Sequence, residues 1–342
     1  MPDVDLLVAG AGPVGLAAAL HARAAGLTVA VVEPRTDPVD KACGEGLMPA
    51  ALAELRGLGV EPVGRPFVGI RYLAPGRAVS ATFRDGPGLG VRRTALHAVL
   101  VAQADVAGVT RVRGRVGPVE QDAFGVSAGG LRASWLLAAD GLHSPLRRAI
   151  GLERAAPGGR RYGLRRHYAV RPWSDRVEVH WAEHTEAYVT PVADGLVGVA
   201  LLGGDRGRLP YDEALACFPR LLARLRGAEA VTDVRGAGPL RQVAASPRAG
   251  RVLLVGDAAG YVDALTGEGL AVGLATARVA VGAVATGRPE TYPAAWRAAT
   301  RRYRWSAGVL LVVAGRPLLR RGLVPAAAAL PAVFGLAVDH VA

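Results

Sequence analysis

Short apolar runs and alanine-rich stretches alternate through the first part of the chain. Leu6-Leu7-Val8 is a continuous apolar run of the kind that forms a buried strand. A helix-favouring stretch follows from Ala17 to Ala25, and then a second apolar run, Thr28-Val29-Ala30-Val31-Val32. This order predicts strand, turn, helix, strand. Pro49 to Leu55 predicts another helix, with proline at its first position, and Arg92 to Leu100 a third. Period-two alternation in Gly69 to Leu73 and Ala78 to Phe83 predicts strands, as does the apolar run from Ala133 to Ala139. From about Arg161 to Val243 the pattern changes to alternating segments, clearest in Arg176–Trp181 and Glu186–Pro191, which predicts an antiparallel sheet. Helical patterning returns from Gly269 to Ala285.

These patterns predict a mixed α/β chain in three parts. A discontinuous nucleotide-binding domain is expected from residues 1–68, 91–158 and 246–288, and a substrate-binding sheet domain from 69–90 and 159–245. Residues 289–342 make a C-terminal helical segment. The apolar run Ser306 to Ala314 falls short of the about 20 residues a membrane span needs. Arg316, Arg320 and Arg321 interrupt it before Leu330 to Val338 turns apolar again. Such helices suit a lid over a greasy channel, a peripheral membrane contact, or a plain cap on the core.

At 342 residues and 51% hydrophobic composition, the chain has ample material for a large core. A net charge of +12 raises the question of nucleic acid. The arginines are scattered, however, with no aromatic residues interleaved for base stacking, so no nucleic-acid partner is expected. Cys43 and Cys217 are too few for a disulfide framework and point to a reducing compartment. The first residues run straight into a strand, so a cytoplasmic location is expected. No metal-binding cluster is read from the sequence.

Chemistry enters with two glycine-rich segments. Gly10, Gly12 and Gly15 stand at G-x-G-x-x-G spacing between the first strand and the first helix, and Glu33 ends the second strand. The first glycine permits a tight turn, the second lets backbone approach a diphosphate, and the third allows close helix–strand packing. The helix start offers free N–H groups to phosphate, and the acid suits a ribose. The second segment, Val252 to Gly260, carries Gly256-Asp257-Ala258. A dinucleotide gripped by two remote segments points to FAD. Arg92 and Arg93 put two cations in a helix's first turn, where they oppose its dipole, so an anion nearby would account for one of them. Gly267 and Gly269 open a helix whose start can stabilise negative charge on a reduced flavin.

In this order, the Gly10/Gly12/Gly15 triplet with Glu33, the Asp140-Gly141 segment and Gly256-Asp257 resemble the FAD-dependent monooxygenase and geranylgeranyl reductase superfamily. The resemblance runs from Val4 to about Ala285 and implies a Rossmann-like FAD domain of the aromatic-hydroxylase type with an inserted sheet domain. It implies FAD contacts from Pro13, Val14, Pro34, Arg35, Cys43, Gly44, Arg93, Ala258 and Glu268 in addition to the residues above. Asp257 is implicated with the ribityl and pyrophosphate, and Asp140-Gly141 with both FAD and NAD(P)H. Asp263 to Gly269 resembles the family's loop beneath the isoalloxazine, with Ala264 where a proline is common.

The resemblance leaves the reaction open. Lys41-Ala42-Cys43-Gly44-Glu45-Gly46-Leu47 is similar to a segment of geranylgeranyl reductases that borders the flavin, whereas their aromatic Tyr-x-Trp-x-Phe-Pro stretch is replaced by Glu186-Ala187-Tyr188-Val189-Thr190-Pro191. The latter looks closer to bacterial flavoprotein hydroxylases acting on polyketide phenols. The first expectation is therefore hydroxylation of a lipophilic phenol by NAD(P)H and O2 through a 4a-hydroperoxyflavin. The alternatives are C=C reduction in a prenyl or polyene substrate and a non-catalytic flavin-binding redox module. Hydroxylation calls for a base at the substrate hydroxyl, with His167, His180 and Tyr188 as candidates. Cys43 is either a redox thiol or a small residue packed beside the flavin.

Overall fold

The computed structural model describes residues 2–204 and 209–342. Residues 205–208, inside the span expected for the substrate sheet, lie outside the described residues. The opening motif forms the centre of one sheet. Its strands run in the order Arg248–Ala249, Val252–Leu254, Leu131–Ala138, Val4–Ala9, Val29–Glu33, Thr110–Arg113. Val4–Ala9 pairs in parallel with Leu131–Ala138 on one side and Val29–Glu33 on the other. Leu6, Leu7 and Val8 lose all exposure to solvent, which is why this run is apolar without alternation. Both glycine-rich turns leave the carboxyl ends of parallel strands, Val4–Ala9 and Val252–Leu254, that flank Leu131–Ala138, where α/β sheets bind ligands.

Helix α1 (Pro13–Ala24) starts on Pro13 at its first position and buries Leu16 to Leu20. Helices α2 (Pro49–Arg56), α3 (Arg93–Val106) and α4 (Pro145–Ala149) follow, and α5 (Tyr211–Ala216) and α6 (Pro219–Arg224) come after the strand Leu196–Gly204. Helix α7 (Gly269–Ala285) packs against α1, α2 and α8 (Tyr292–Gly315), so it is apolar on most of its circumference. Helices α9 (Pro317–Ala329) and α10 (Pro331–Val341) lie over the strand Arg77–Thr82.

The second sheet runs Glu229–Ala230, Arg161–Ala169, Leu196–Gly204, Thr185–Ala193, Val177–Trp181, Gly69–Ala74, Arg77–Thr82. Apolar clusters cover both its faces. Val177, Val179 and Trp181 meet α9 and α10 residues on one side, while Ala187, Val189 and Val199 meet α5 and α6 residues on the other. A three-stranded sheet of Gly46–Leu47, Gly88–Gly90 and Arg65–Phe67 holds the end of the Lys41–Leu47 segment.

One expectation changes. The second sheet is not wholly antiparallel, because Val177–Trp181 runs parallel to Gly69–Ala74. The Gly69–Thr82 hairpin comes from an earlier stretch of chain and reaches the sheet by a long crossover, which is the connection parallel pairing requires. The apolar run Ser306–Ala314 forms part of the second half of the 24-residue α8.

Candidate active site

The glycines of the first turn have three different duties. Gly10 has φ +103°, and a Cβ there would lie 2.6 Å from the Ala139 carbonyl oxygen on the neighbouring strand. At Gly15 a Cβ would lie 1.9 Å from the Gly10 oxygen, so the helix could not approach the turn. Gly12 instead faces open space, with the Arg93 guanidinium 3.8 Å from where a Cβ would be. The approach of a diphosphate is therefore left free at Gly12 alone of the three. Beside this turn, Glu33 accepts a hydrogen bond from the Ala11 N–H at 2.9 Å and a two-pronged contact from Arg35 at 2.6 and 2.9 Å. Burial pushes the Glu33 carboxyl up, but the bonds from Arg35 and Ala11 outweigh it, and the group titrates below its ordinary value.

Across the turn lies the Asp140-Gly141 segment. Asp140 Oδ2 accepts from the Leu146 N–H at 3.0 Å, while Oδ1 is buried without a partner among the described residues. Arg147, fully buried, donates to the carbonyls of Leu142 and Ala258, both at 3.1 Å, and to Gln242 Oε1 at 2.7 Å. It thereby ties Asp140-Gly141 to the Gly256-Asp257-Ala258 turn. Burial raises the Asp257 carboxyl, and Arg93, Lys41 and Arg147 pull it back. Lys41 itself is pushed down by burial and by Arg35 and Arg93.

The Lys41–Leu47 segment is held from two sides. The Glu45 carboxylate accepts from the Arg93 N–H at 2.8 Å and is joined to His167 Nε2 by a very short hydrogen bond. Thr190 Oγ1 donates to the Gly44 carbonyl at 2.8 Å. Glu45 has φ 59°, the only positive φ at a non-glycine among the described residues. On the far side, Arg161 reaches Asp263 and Glu186, both at 2.8 Å, and Tyr188 donates to the Leu265 carbonyl at 3.2 Å. A further very short contact joins Glu186 to Arg320 of α9.

Between these elements lies a cavity of about 1670 Å³, larger than the roughly 300–1,000 Å³ that one small ligand occupies. Gly12, Arg93, Asp140 and Asp257 line one end, and Ile70, Val179 and Phe334 line the other. The polar end fits a dinucleotide. A buried carboxylate oxygen on Asp140 and the buried Arg93 Nε both lack partners among the described residues, and Gly12 leaves an open approach.

The family model for the FAD binding domain matches residues 89–286. This chain belongs to that FAD-binding family. It is similar to menaquinone reductase of Mycolicibacterium smegmatis, 32% identical over 333 residues that span 85% of this chain and 79% of the relative. Digeranylgeranylglycerophospholipid reductase 1 of Methanothermobacter thermautotrophicus is 27% identical over 83% of this chain and 79% of its own length. Among solved structures, a flavin-dependent brominase superposes with TM-score 0.81 at 17% identity, over 98% of this chain and 93% of the other. A geranylgeranyl bacteriochlorophyll reductase-like protein of Thermoplasma acidophilum gives 0.77 at 21% identity, over 94% and 90%. The protein is thus an FAD-dependent oxidoreductase of the hydroxylase and reductase family, with the mixed α/β fold the sequence predicts. The non-catalytic alternative falls away.

In this FAD-binding protein the expected cofactor residues divide into three groups. Gly12, Pro13, Val14, Cys43, Gly44, Arg93, Asp140, Gly141, Asp257, Gly267 and Gly269 line the cavity. Gly10, Gly15, Gly256 and Ala258 shape the turns behind it, with Gly256 pressed on Val14 and the Ala258 carbonyl taken by Arg147. Glu33, Pro34 and Arg35 sit beside the first turn, at the end of Val29–Glu33 and just beyond it. Glu268 is not among the residues that line the cavity. It is buried, and its carboxylate accepts from Ser306 Oγ of α8 at 2.9 Å, so it braces two helices.

The three base candidates fare differently. His180 lies on the face away from the cavity, bonded to Glu178 at 3.1 Å and edge-on to Phe218. Strand parity puts it there, because the cavity face of Val177–Trp181 is carried by Val177 and Val179. His167 is on the cavity side of its strand but fully buried behind Glu45. Only Tyr188 lines the cavity, and burial pushes its phenol well above the ordinary range, which holds it protonated. Arg147, Glu45 and Arg161 were missed by sequence reasoning. Glu45 alone carried a signal, since it lies inside the Lys41–Leu47 segment that resembles geranylgeranyl reductases.

Proposed function

We propose that this oxidoreductase reduces a C=C bond in the isoprenoid chain of a lipid or quinone, with NAD(P)H as the electron source. The observation that carries this reading is the apolar end of the cavity. Ile70, Val177, Val179, Leu310 and Phe334 form a wall suited to a hydrocarbon chain. Menaquinone and digeranylgeranylglycerophospholipid, named in two relatives, share such a chain.

Bound FAD supplies hydride chemistry once reduced. The protein supplies position and dryness. Gly12 and the start of α1 would face the diphosphate, Glu33 a ribose, and Asp140 and Asp257 the remaining hydroxyls. Arg93 would neutralise phosphate charge. Reduction of C=C also consumes a proton. Cys43 lies on the cavity wall, its Sγ accepting the Glu45 N–H at 3.4 Å, and we assign its S–H as that donor. Phenol hydroxylation, the first sequence expectation, ranks second because it calls for a base at the substrate hydroxyl. His167 is engaged by Glu45, and Tyr188 is held in its acid form.

The deciding experiment incubates the FAD-loaded enzyme with NADPH and an isoprenoid quinone without oxygen. Turnover to a product heavier by two hydrogens supports reduction. Strict dependence on oxygen, with a product heavier by one oxygen atom, overturns it in favour of hydroxylation.

A further inference from the structure

We propose that the outer surface of α8, α9 and α10 docks on an anionic lipid bilayer, with the mouth of the cavity opening into the docked face. The claim that substrate enters there from the bilayer rests on the isoprenoid reading above; the docking itself does not.

Eight of the fourteen exposed large apolar side chains among the described residues fall between Trp305 and Leu336. They are organised by helical spacing. Trp305, Val309 and Val312 recur every four and three residues along α8, and Val333 and Leu336 stand three apart on α10, with Leu330 just before its start. Trp305 and Val309 on one helix, and Val333 and Leu336 on the other, also line the cavity. Two apolar stripes therefore flank one opening. The Trp305 ring meets His340 edge-on, and Arg302 donates to the Asp339 carbonyl at 3.0 Å, which joins the two stripes at one end.

Charge selects the occupant. Residues 292–342 contain seven arginines and a single acid, Asp339. Arg301 and Arg304 are exposed on α8 beside its apolar stripe, Arg316 at the junction of α8 and α9, and Arg321 on α9. Apolar stripes rimmed by arginine match a surface of anionic headgroups over hydrocarbon. The contact is peripheral. No single helix among the described residues is long and apolar enough to cross a membrane, and α9 and α10 are bent by 107° at their junction. Arg320 also pins α9 to the second sheet, donating to the carbonyls of Ala182 and Thr185, each at 2.6 Å.

The test is co-sedimentation of the FAD-loaded full chain with substrate-free vesicles of phosphatidylcholine, with and without phosphatidylglycerol. We expect binding to the mixed vesicles that weakens as salt rises. The triple variant Val312→Glu, Leu318→Glu, Leu330→Glu, at exposed sites outside the cavity lining, should lose about tenfold in partitioning. Its flavin content and melting temperature should be unchanged, which shows that it folds. Equal partitioning to neutral and anionic vesicles overturns the proposal. So does failure to bind either, including the case where the face instead pairs two copies, seen as a concentration-dependent dimer that the triple variant dissolves. Because the vesicles hold no substrate, a failure of the reductase reading leaves this result unaffected.

Discussion

The Glu45 carboxylate and the His167 imidazole are hydrogen-bonded to each other with their side chains almost wholly shielded from solvent, at 1% and 0% exposure. The bond joins the segment that carries Cys43 to the second sheet, so the wall of the cavity depends on it. Thr232 Oγ1 and Arg165 occupy the other side of the imidazole at 3.0 and 3.1 Å. Removing one partner leaves the other buried and unmatched, which costs about 3–5 kcal/mol. Glu45→Ala should therefore lower unfolding free energy by that order in urea titrations of the FAD-loaded protein, and Glu45→Gln by clearly less. An alanine variant as stable as the parent would mean that the pair does not hold the segment.

The glycine turn makes a sharper distinction. Gly12→Ala meets no protein atom closer than 3.8 Å from its new methyl. It should fold with an unchanged melting temperature and yet be purified without flavin, because the methyl occupies the phosphate approach. Gly10→Ala must accept a positive φ and a contact of 2.6 Å with Ala139. The backbone conformation alone costs roughly 1–2 kcal/mol, so this variant should lose stability as well as flavin. Calorimetry and the absorbance of bound flavin read the two effects separately.

Acid should release the cofactor in a predictable window. The folded Glu33 carboxyl titrates below its ordinary value of 4.5. Its contribution to stability is therefore complete above that value and is lost as pH falls through the lower, folded value. Flavin fluorescence should rise over the same acid range as the ribose acceptor becomes protonated. Glu33→Gln should weaken FAD binding about tenfold to a hundredfold at neutral pH, the worth of one hydrogen bond to a charged group. It should also flatten the acid transition. An unaltered transition in the glutamine variant would assign acid release to another group.

Narrowing the apolar end should select for chain length. Val179 lines the cavity and is buried against the C-terminal helices. Val179→Phe adds bulk at a cost of about 1–3 kcal/mol to any long chain that must pass it. We expect kcat/KM to fall about tenfold or more for long isoprenoid chains and to hold for truncated ones. Equal losses across chain lengths would show that substrate does not pass this wall.

The sequence by itself determined the first strand, the glycine spacing, the acid at Glu33 and the general form of a nucleotide site. These features are local. The first phosphate cradle is a contiguous turn between one strand and one helix, so its residue types are dictated at short range. Strand positions were also legible as alternation, but the face to which each residue belongs was not. Apolar clusters cover both faces of the second sheet, so alternation cannot say which side holds the cavity. That is why His180 was grouped with Tyr188 although the two face opposite ways. Tertiary structure alone decided the Glu45–His167 bond, the Arg147 bridge and the Arg161–Glu186–Arg320 chain. Their partners lie far apart in sequence, and no short-range pattern specifies which buried charge will meet which.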